Sequence, residues 1–280
     1  MGGRFVAIGD SFTEGVGDPN LLYPNGVRGW ADRVARQLGR ADSDWEYANL
    51  AIRSKLLDEV AAEQIDAAIA LAPTHVSFYA GGNDIIALRV DMAAVMRRYE
   101  LALRRLASSG AQLVLFTAFD PTAAPVWEPV RRRLAFFNGC VRDLARDTGA
   151  VLIDHALYED FRDRRMWSAD RIHMSKAGHK RMAAHVLQQL GIPHSLKVVE
   201  LPPYHPRPWR RALREETLWL RDEVVPLLRR RISGVREGDS LAPKWPQPVH
   251  PADGMKRLAR EQSGDAMRVH ADAESARSAT

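Results

Sequence analysis

Five short apolar, β-favouring runs, each followed by turn residues and then a helix-length stretch, constrain this chain more than any other feature. They fall at residues 5–9, 45–49, 75–80, 113–119 and 150–154. Helically spaced apolar residues fill the intervals and follow the last run, at 30–38, 56–71, 92–106, 130–146 and 177–190. Trp30, Val34 and Leu38 carry the first of these, and Pro73, Gly110, Gly149 and Gly191 stop the others. Short, wholly apolar strands alternating with helices predict a parallel sheet covered on both faces. Ligands of such sheets bind beyond the carboxyl ends of the strands, so the loops after the first three strands are where chemistry is expected.

With 280 residues and 46% hydrophobic composition, the chain can build one sizeable core. The expected units are a catalytic-size domain over 1–194, a Pro-rich linker with an amphipathic helical extension over 195–234, and a disordered tail over 235–280. The linker carries Pro202, Pro203, Pro206 and Pro208, which no helix interior tolerates. The stretch 210–231 places Leu213, Leu218, Trp219, Val225 and Leu228 on an apolar face, with a kink expected at Pro226. Docking on the domain, a dimer contact and a membrane-surface helix all suit such a segment. Beyond Gly234, large apolar residues thin out among Gly, Pro, Ser and charge.

The net charge of +5 sits mostly in the tail, where residues 195–280 hold 16 Lys and Arg against 12 Asp and Glu. With acids so interleaved, no nucleic-acid partner is expected. The apolar run 5–8 is too short for a secretory signal, and no run of about 18 apolar residues offers a membrane span. A single cysteine, Cys140, excludes an intramolecular disulfide framework and suits a reducing compartment. The expectation is a cytoplasmic chain without stable membrane insertion. Its oligomeric state is not readable.

Four clusters carry chemistry. Gly9-Asp10-Ser11 closes the first strand, so Ser11 sits on a strand-to-helix turn where one residue can supply a hydroxyl nucleophile and a backbone donor. Asn49 to Ser54 follows the second strand. Gly81-Gly82-Asn83-Asp84 follows the third, and the Asn83 amide there is a candidate oxyanion donor. Asp170 and His173, three apart before the last helix, can place a carboxylate on one imidazole nitrogen and leave the other for a serine.

In order and spacing these clusters resemble blocks I, II, III and V of the SGNH hydrolases, also called GDSL lipases/esterases, over roughly residues 4–190. The resemblance implies a flavodoxin-like three-layer α/β/α sandwich with a five-stranded parallel sheet. It implies ester hydrolysis with Ser11 as nucleophile, His173 as base and then acid, and Asp170 orienting His173. The oxyanion donors would be the N–H groups of Ser11 and Ser54 and the side chain of Asn83. Neither cofactor nor metal is expected, and the partner is a small-molecule ester, with short acyl chains favoured because no long apolar lid is evident. One departure stands out: Ser54 occupies a position where the family usually has glycine, which could narrow the pocket or demand a strained backbone. An acyltransferase using the same site, or a non-catalytic scaffold keeping the fold, are the alternatives.

Other features read as structural. Gly15-Val16-Gly17 lacks the third glycine of a dinucleotide fingerprint, since Asn20 stands in its place. His155, His179 and His185 show no metal-ligand spacing and are expected to pack or face solvent. Arg131–Arg133 reads as a solvated helix face. Trp127 and Trp167 flank the cleft sequences, as pocket lining or as core.

Overall fold

A computed structural model describes residues 2–87, 89–120, 128–200, 202, 208–219, 221–222 and 236–262. In chain order its strands are β1 (Arg4–Gly9), β2 (Glu46–Asn49), β3 (His75–Tyr79), β4 (Gln112–Phe116), β5 (Val151–Ile153) and β6 (Trp245–Val249). Its helices are α1 (Ser11–Glu14), α2 (Trp30–Ala41), α3 (Leu57–Ala70), α4 (Gly82–Ile85), α5 (Met92–Ala107), α6 (Glu128–Thr148), α7 (Lys176–Gln189) and α8 (Trp209–Trp219).

The sheet runs β5-β4-β3-β1-β2-β6. β1 to β5 are parallel, and β6 is antiparallel to β2. The strand alternation of period two sorts the core onto two faces. Val6 and Ile8 of β1 pack with α3, α5 and α6, whereas Phe5 and Ala7 pack with α2 and α7. The result is the expected three-layer α/β sandwich.

Two expectations require correction. The sheet has six strands rather than five, and the sixth is antiparallel. It comes from the stretch expected to be disordered: residues 236–262 hold β6 and a further helical run at 255–262. Pro246 and Pro248 hide this strand from pattern reading. At an edge, alternate N–H groups point away from the partner, where proline forfeits no ladder bond. Trp245 and Met255 then bury against α2 and its neighbours in place of the large aliphatic residues the tail lacks. Residues 263–280, and 223–235 of the amphipathic stretch with Pro226, lie outside the described residues.

Candidate active site

β1 delivers Asp10 and Ser11 to the carboxyl edge of the sheet. Asp10 caps α1, its Oδ1 accepting from the Phe12 N–H at 3.1 Å. Ser11 thus opens a helix at the sheet's ligand-binding edge. Across the cleft, His173 sits in the turn before α7, whose first residues Ser175 caps through the Gly178 N–H.

The two sides meet. His173 Nε2 lies 3.0 Å from Ser11 Oγ, and His173 Nδ1 lies 2.7 Å from Asp170 Oδ2. Asp170 Oδ1 accepts from Ser168 Oγ at 2.6 Å, from the Ile172 N–H at 2.9 Å and from the His173 N–H at 3.0 Å. Burial pushes the Asp170 carboxyl up, but the hydrogen bonds and charge of His173 with the other donors outweigh it. They hold this group well below the usual carboxylate range. An ionised Asp170 on Nδ1 fixes the tautomer in which Nε2 can accept the serine proton.

Gly17 explains why a glycine stands in the stretch that superficially resembles a nucleotide loop. Its φ is +98°, and a Cβ there would lie 2.2 Å from the Met174 carbonyl oxygen and 3.1 Å from His173 Cβ. The backbone of the loop after α1 therefore presses directly on the histidine turn.

Ser54 and Asn83 occupy adjoining loops that are tied together. Asn83 Nδ2 donates to the Lys55 carbonyl at 3.0 Å, and the Leu57 N–H donates to Asp84 Oδ2 at 3.0 Å. Ser54 adopts φ +65°, the left-handed region that glycine enters freely and serine does not. The strain anticipated from serine at this position is present in the backbone.

Three residues within or beside the sequence clusters received no role there and have one in the structure. Asp10 is buried, and burial, reinforced by Asp84, pushes its carboxyl up to about 7 against the pull of the Phe12 N–H and of His173. Glu14, with no side-chain exposure, holds Arg53. Its Oε2 accepts from the Arg53 N–H at 2.6 Å and from Nε at 3.0 Å, and its Oε1 accepts from Nη2 at 2.8 Å. The signal available was weak: an acid and a base 39 residues apart, each beside a motif.

The remaining singled-out residues are structural. His179 is fully buried, Nδ1 accepting from the Trp30 N–H at 3.2 Å and Nε2 donating to the Val16 carbonyl at 2.9 Å; burial pushes its pKa down to about 3. His155 lies edge-on to Phe161 and stacked beside Phe119 and Trp167, and burial likewise pushes it down to about 3. His185 stacks on Tyr158 and reaches Asp160 at 3.1 Å. Among the described residues no cluster of three or more His, Cys, Asp or Glu could hold a metal ion. Trp167 donates to the Phe161 carbonyl at 2.6 Å, and Trp127 lies outside the described residues. α8 docks on the acid turn: Trp219 Nε1 donates to the Asp170 carbonyl at 2.7 Å, and the Arg171 guanidinium lies 5.1 Å from the Trp219 ring centre. No helix among the described residues is long and apolar enough to cross a membrane.

An α/β sandwich with a serine, a histidine and an aspartate in line at the carboxyl edge defines a hydrolase-like class. Residues 7–181 match the GDSL-like lipase/acylhydrolase family. The chain belongs to that family and is a carboxylic ester hydrolase. No curated protein matches the chain significantly. Among solved structures it resembles TesA, with TM-score 0.56 and 21% identity, over 67% of this chain and 97% of that one. It also resembles LAE5, an α/β hydrolase enzyme from the metagenome of Lake Arreo, Spain, with TM-score 0.58 and 21% identity, over 70% and 98%. A catalytic mutant of Axe2, an acetylxylan esterase from Geobacillus stearothermophilus, gives TM-score 0.57 and 20% identity over 69% and 97%.

Proposed function

We propose that the protein hydrolyses small carboxylic esters of short acyl chain through an acyl-enzyme on Ser11. His173 takes the Ser11 proton as the hydroxyl attacks the ester carbonyl, and Asp170 stabilises the imidazolium that forms. The tetrahedral oxyanion is held by the N–H groups of Ser11 and Ser54 and by the Asn83 amide. Protonated His173 then gives its proton to the leaving alcohol. In the second half, His173 activates water, which releases the acid and restores Ser11.

One observation carries this reading: the unbroken chain from Ser11 Oγ through both nitrogens of His173 to Asp170. The preference for short acyl groups rests on the lack of a long apolar lid in the sequence. The single cysteine supports a cytoplasmic setting.

The test is hydrolysis of p-nitrophenyl esters of increasing chain length by the wild type and by Ser11→Ala. The expected result is activity greatest on the shortest esters and lowered at least ~10⁴-fold by the substitution. Undiminished hydrolysis by Ser11→Ala would remove the mechanism, and a preference for long chains would remove the acyl assignment.

A further inference from the structure

The segment 236–245 lies beyond the family match, which ends at residue 181. Solved structures that align over nearly their whole length cover only about two thirds of this chain. The segment nevertheless touches the two elements that bracket Ser54.

On the outer side of that turn, Gly238 sits against Arg53: a Cβ on Gly238 would lie 2.0 Å from the Arg53 carbonyl oxygen and 3.1 Å from Ile52 Cγ2. Arg236 makes two bonds of 2.7 Å to the Glu59 carboxylate. Glu59 Oε2 in turn accepts the Leu56 N–H at 2.8 Å, closing the first turn of α3 just past Ser54. On the inner side, Lys244 is fully buried, its Nζ donating to the Glu14 carbonyl at 2.9 Å and to Asp32 Oδ2 at 2.5 Å. Asn25 Nδ2 bridges the Ala242 carbonyl at 3.0 Å and Glu14 Oε1 at 3.1 Å. Glu14 is the group that grips Arg53. The same segment therefore braces both the anchor of the turn and its outer surface.

The turn needs bracing. A non-glycine residue in the left-handed region crowds its own Cβ against the backbone, and Ser54 stays there only if its neighbours over-determine it. We infer that residues 236–245 are a positioning strap that holds the Ser54 turn, and so the Ser54 N–H, in the geometry the oxyanion requires. The inference rests on the ester-hydrolase reading above. Gly238 and Arg236 act through Arg53 and Glu59 and do not touch substrate.

The test compares the full-length wild type, Gly238→Ala, Gly39→Ala and Ser11→Ala on a p-nitrophenyl ester, with melting temperatures alongside. Gly39 packs against the far end of the same extension, where a Cβ would lie 2.7 Å from the Ala252 nitrogen. Gly238→Ala is expected to lower kcat about 10–100-fold with KM changed less than about twofold, because displacing a donor by an ångström costs on that scale. Gly39→Ala is expected to lower the melting temperature while keeping kcat within about twofold. Should Gly238→Ala fail to fold, Arg236→Ala serves, with kcat lowered about threefold or more and KM changed less than about twofold. Wild-type kcat in Gly238→Ala or, if it fails to fold, in Arg236→Ala overturns the strap. So does a kcat loss in Gly238→Ala and Gly39→Ala that simply follows melting temperature. Full activity in Ser11→Ala instead overturns the ester-hydrolase reading and the strap with it.

Discussion

The Asp170 carboxylate and the Ser54 turn are held by contacts of different range. The Asp170 carboxylate is held from within its own turn, since the three donors to Oδ1 come from Ser168, Ile172 and His173, while the backbone of that turn, with Arg171 at φ +56°, also leans on Trp219 and Gly17. The Ser54 turn owes its shape to distant partners: Glu14, Asn83 and Asp84, and Arg236, which lies 177 residues from Glu59. A turn built from neighbours in sequence carries its geometry with it. A turn built from remote contacts holds a strained residue only while the whole fold is in place. The Asp170 carboxylate should therefore tolerate loss of one contact, and the turn proposed to supply the Ser54 oxyanion donor should not.

The largest effect expected in such a comparison is on the oxyanion side. Asn83→Ala removes the proposed oxyanion donor and the tie to Lys55 together, and is expected to lower kcat about 10²–10³-fold, equivalent to roughly 3–4 kcal/mol of barrier. Steady-state kinetics at saturating ester check it, and unchanged kcat would remove the donor role proposed for Asn83 and show that its tie to Lys55 is dispensable.

Next comes Asp10, which stands between the loops. Its carboxyl is raised from 3.8 to about 7, so the folded state keeps a proton that the unfolded chain releases. Its contribution to stability is neutral below the lower value, falls as pH rises between the two, and is level above the higher one. Asp10→Asn keeps an acceptor for the helix cap. It is expected to gain on the wild type by about 1.4 kcal/mol per pH unit between roughly pH 4 and 7. Urea denaturation at several pH values measures this, and a constant difference would show that Asp10 does not hold the proton.

The smallest effect belongs to the locally held Asp170 carboxylate. Ser168→Ala leaves two backbone donors on Asp170 Oδ1, so kcat is expected to fall less than about tenfold, the scale of a single hydrogen bond. A loss matching that of Asn83→Ala would erase the contrast between the loops.

The same division by sequence distance separates what the chain declares from what it hides. Phe5 to Gly9, Val76, Phe78 and the run at 113–116 announced a parallel sheet because period and composition are local properties. Asp170 and His173 were legible together because they lie three apart. Ser54 was legible as a point of strain, since serine in place of glycine implies a costly backbone, and the structure puts φ at +65° there. Glu14 and Arg53 were not, because nothing local pairs an acid in α1 with a base after β2. Lys244 lies in the stretch expected to be disordered, yet it is buried against Asp32. Pro246 and Pro248 argued against a strand, and only the position of β6 at the sheet edge makes them harmless.

The most direct test of the central claim is to quench the enzyme in acid during turnover of a p-nitrophenyl ester and map the acyl group by peptide mass spectrometry. One added acyl mass is expected on the peptide containing Ser11 and none in Ser11→Ala. An acyl adduct on another residue, or steady hydrolysis by Ser11→Ala, would contradict it.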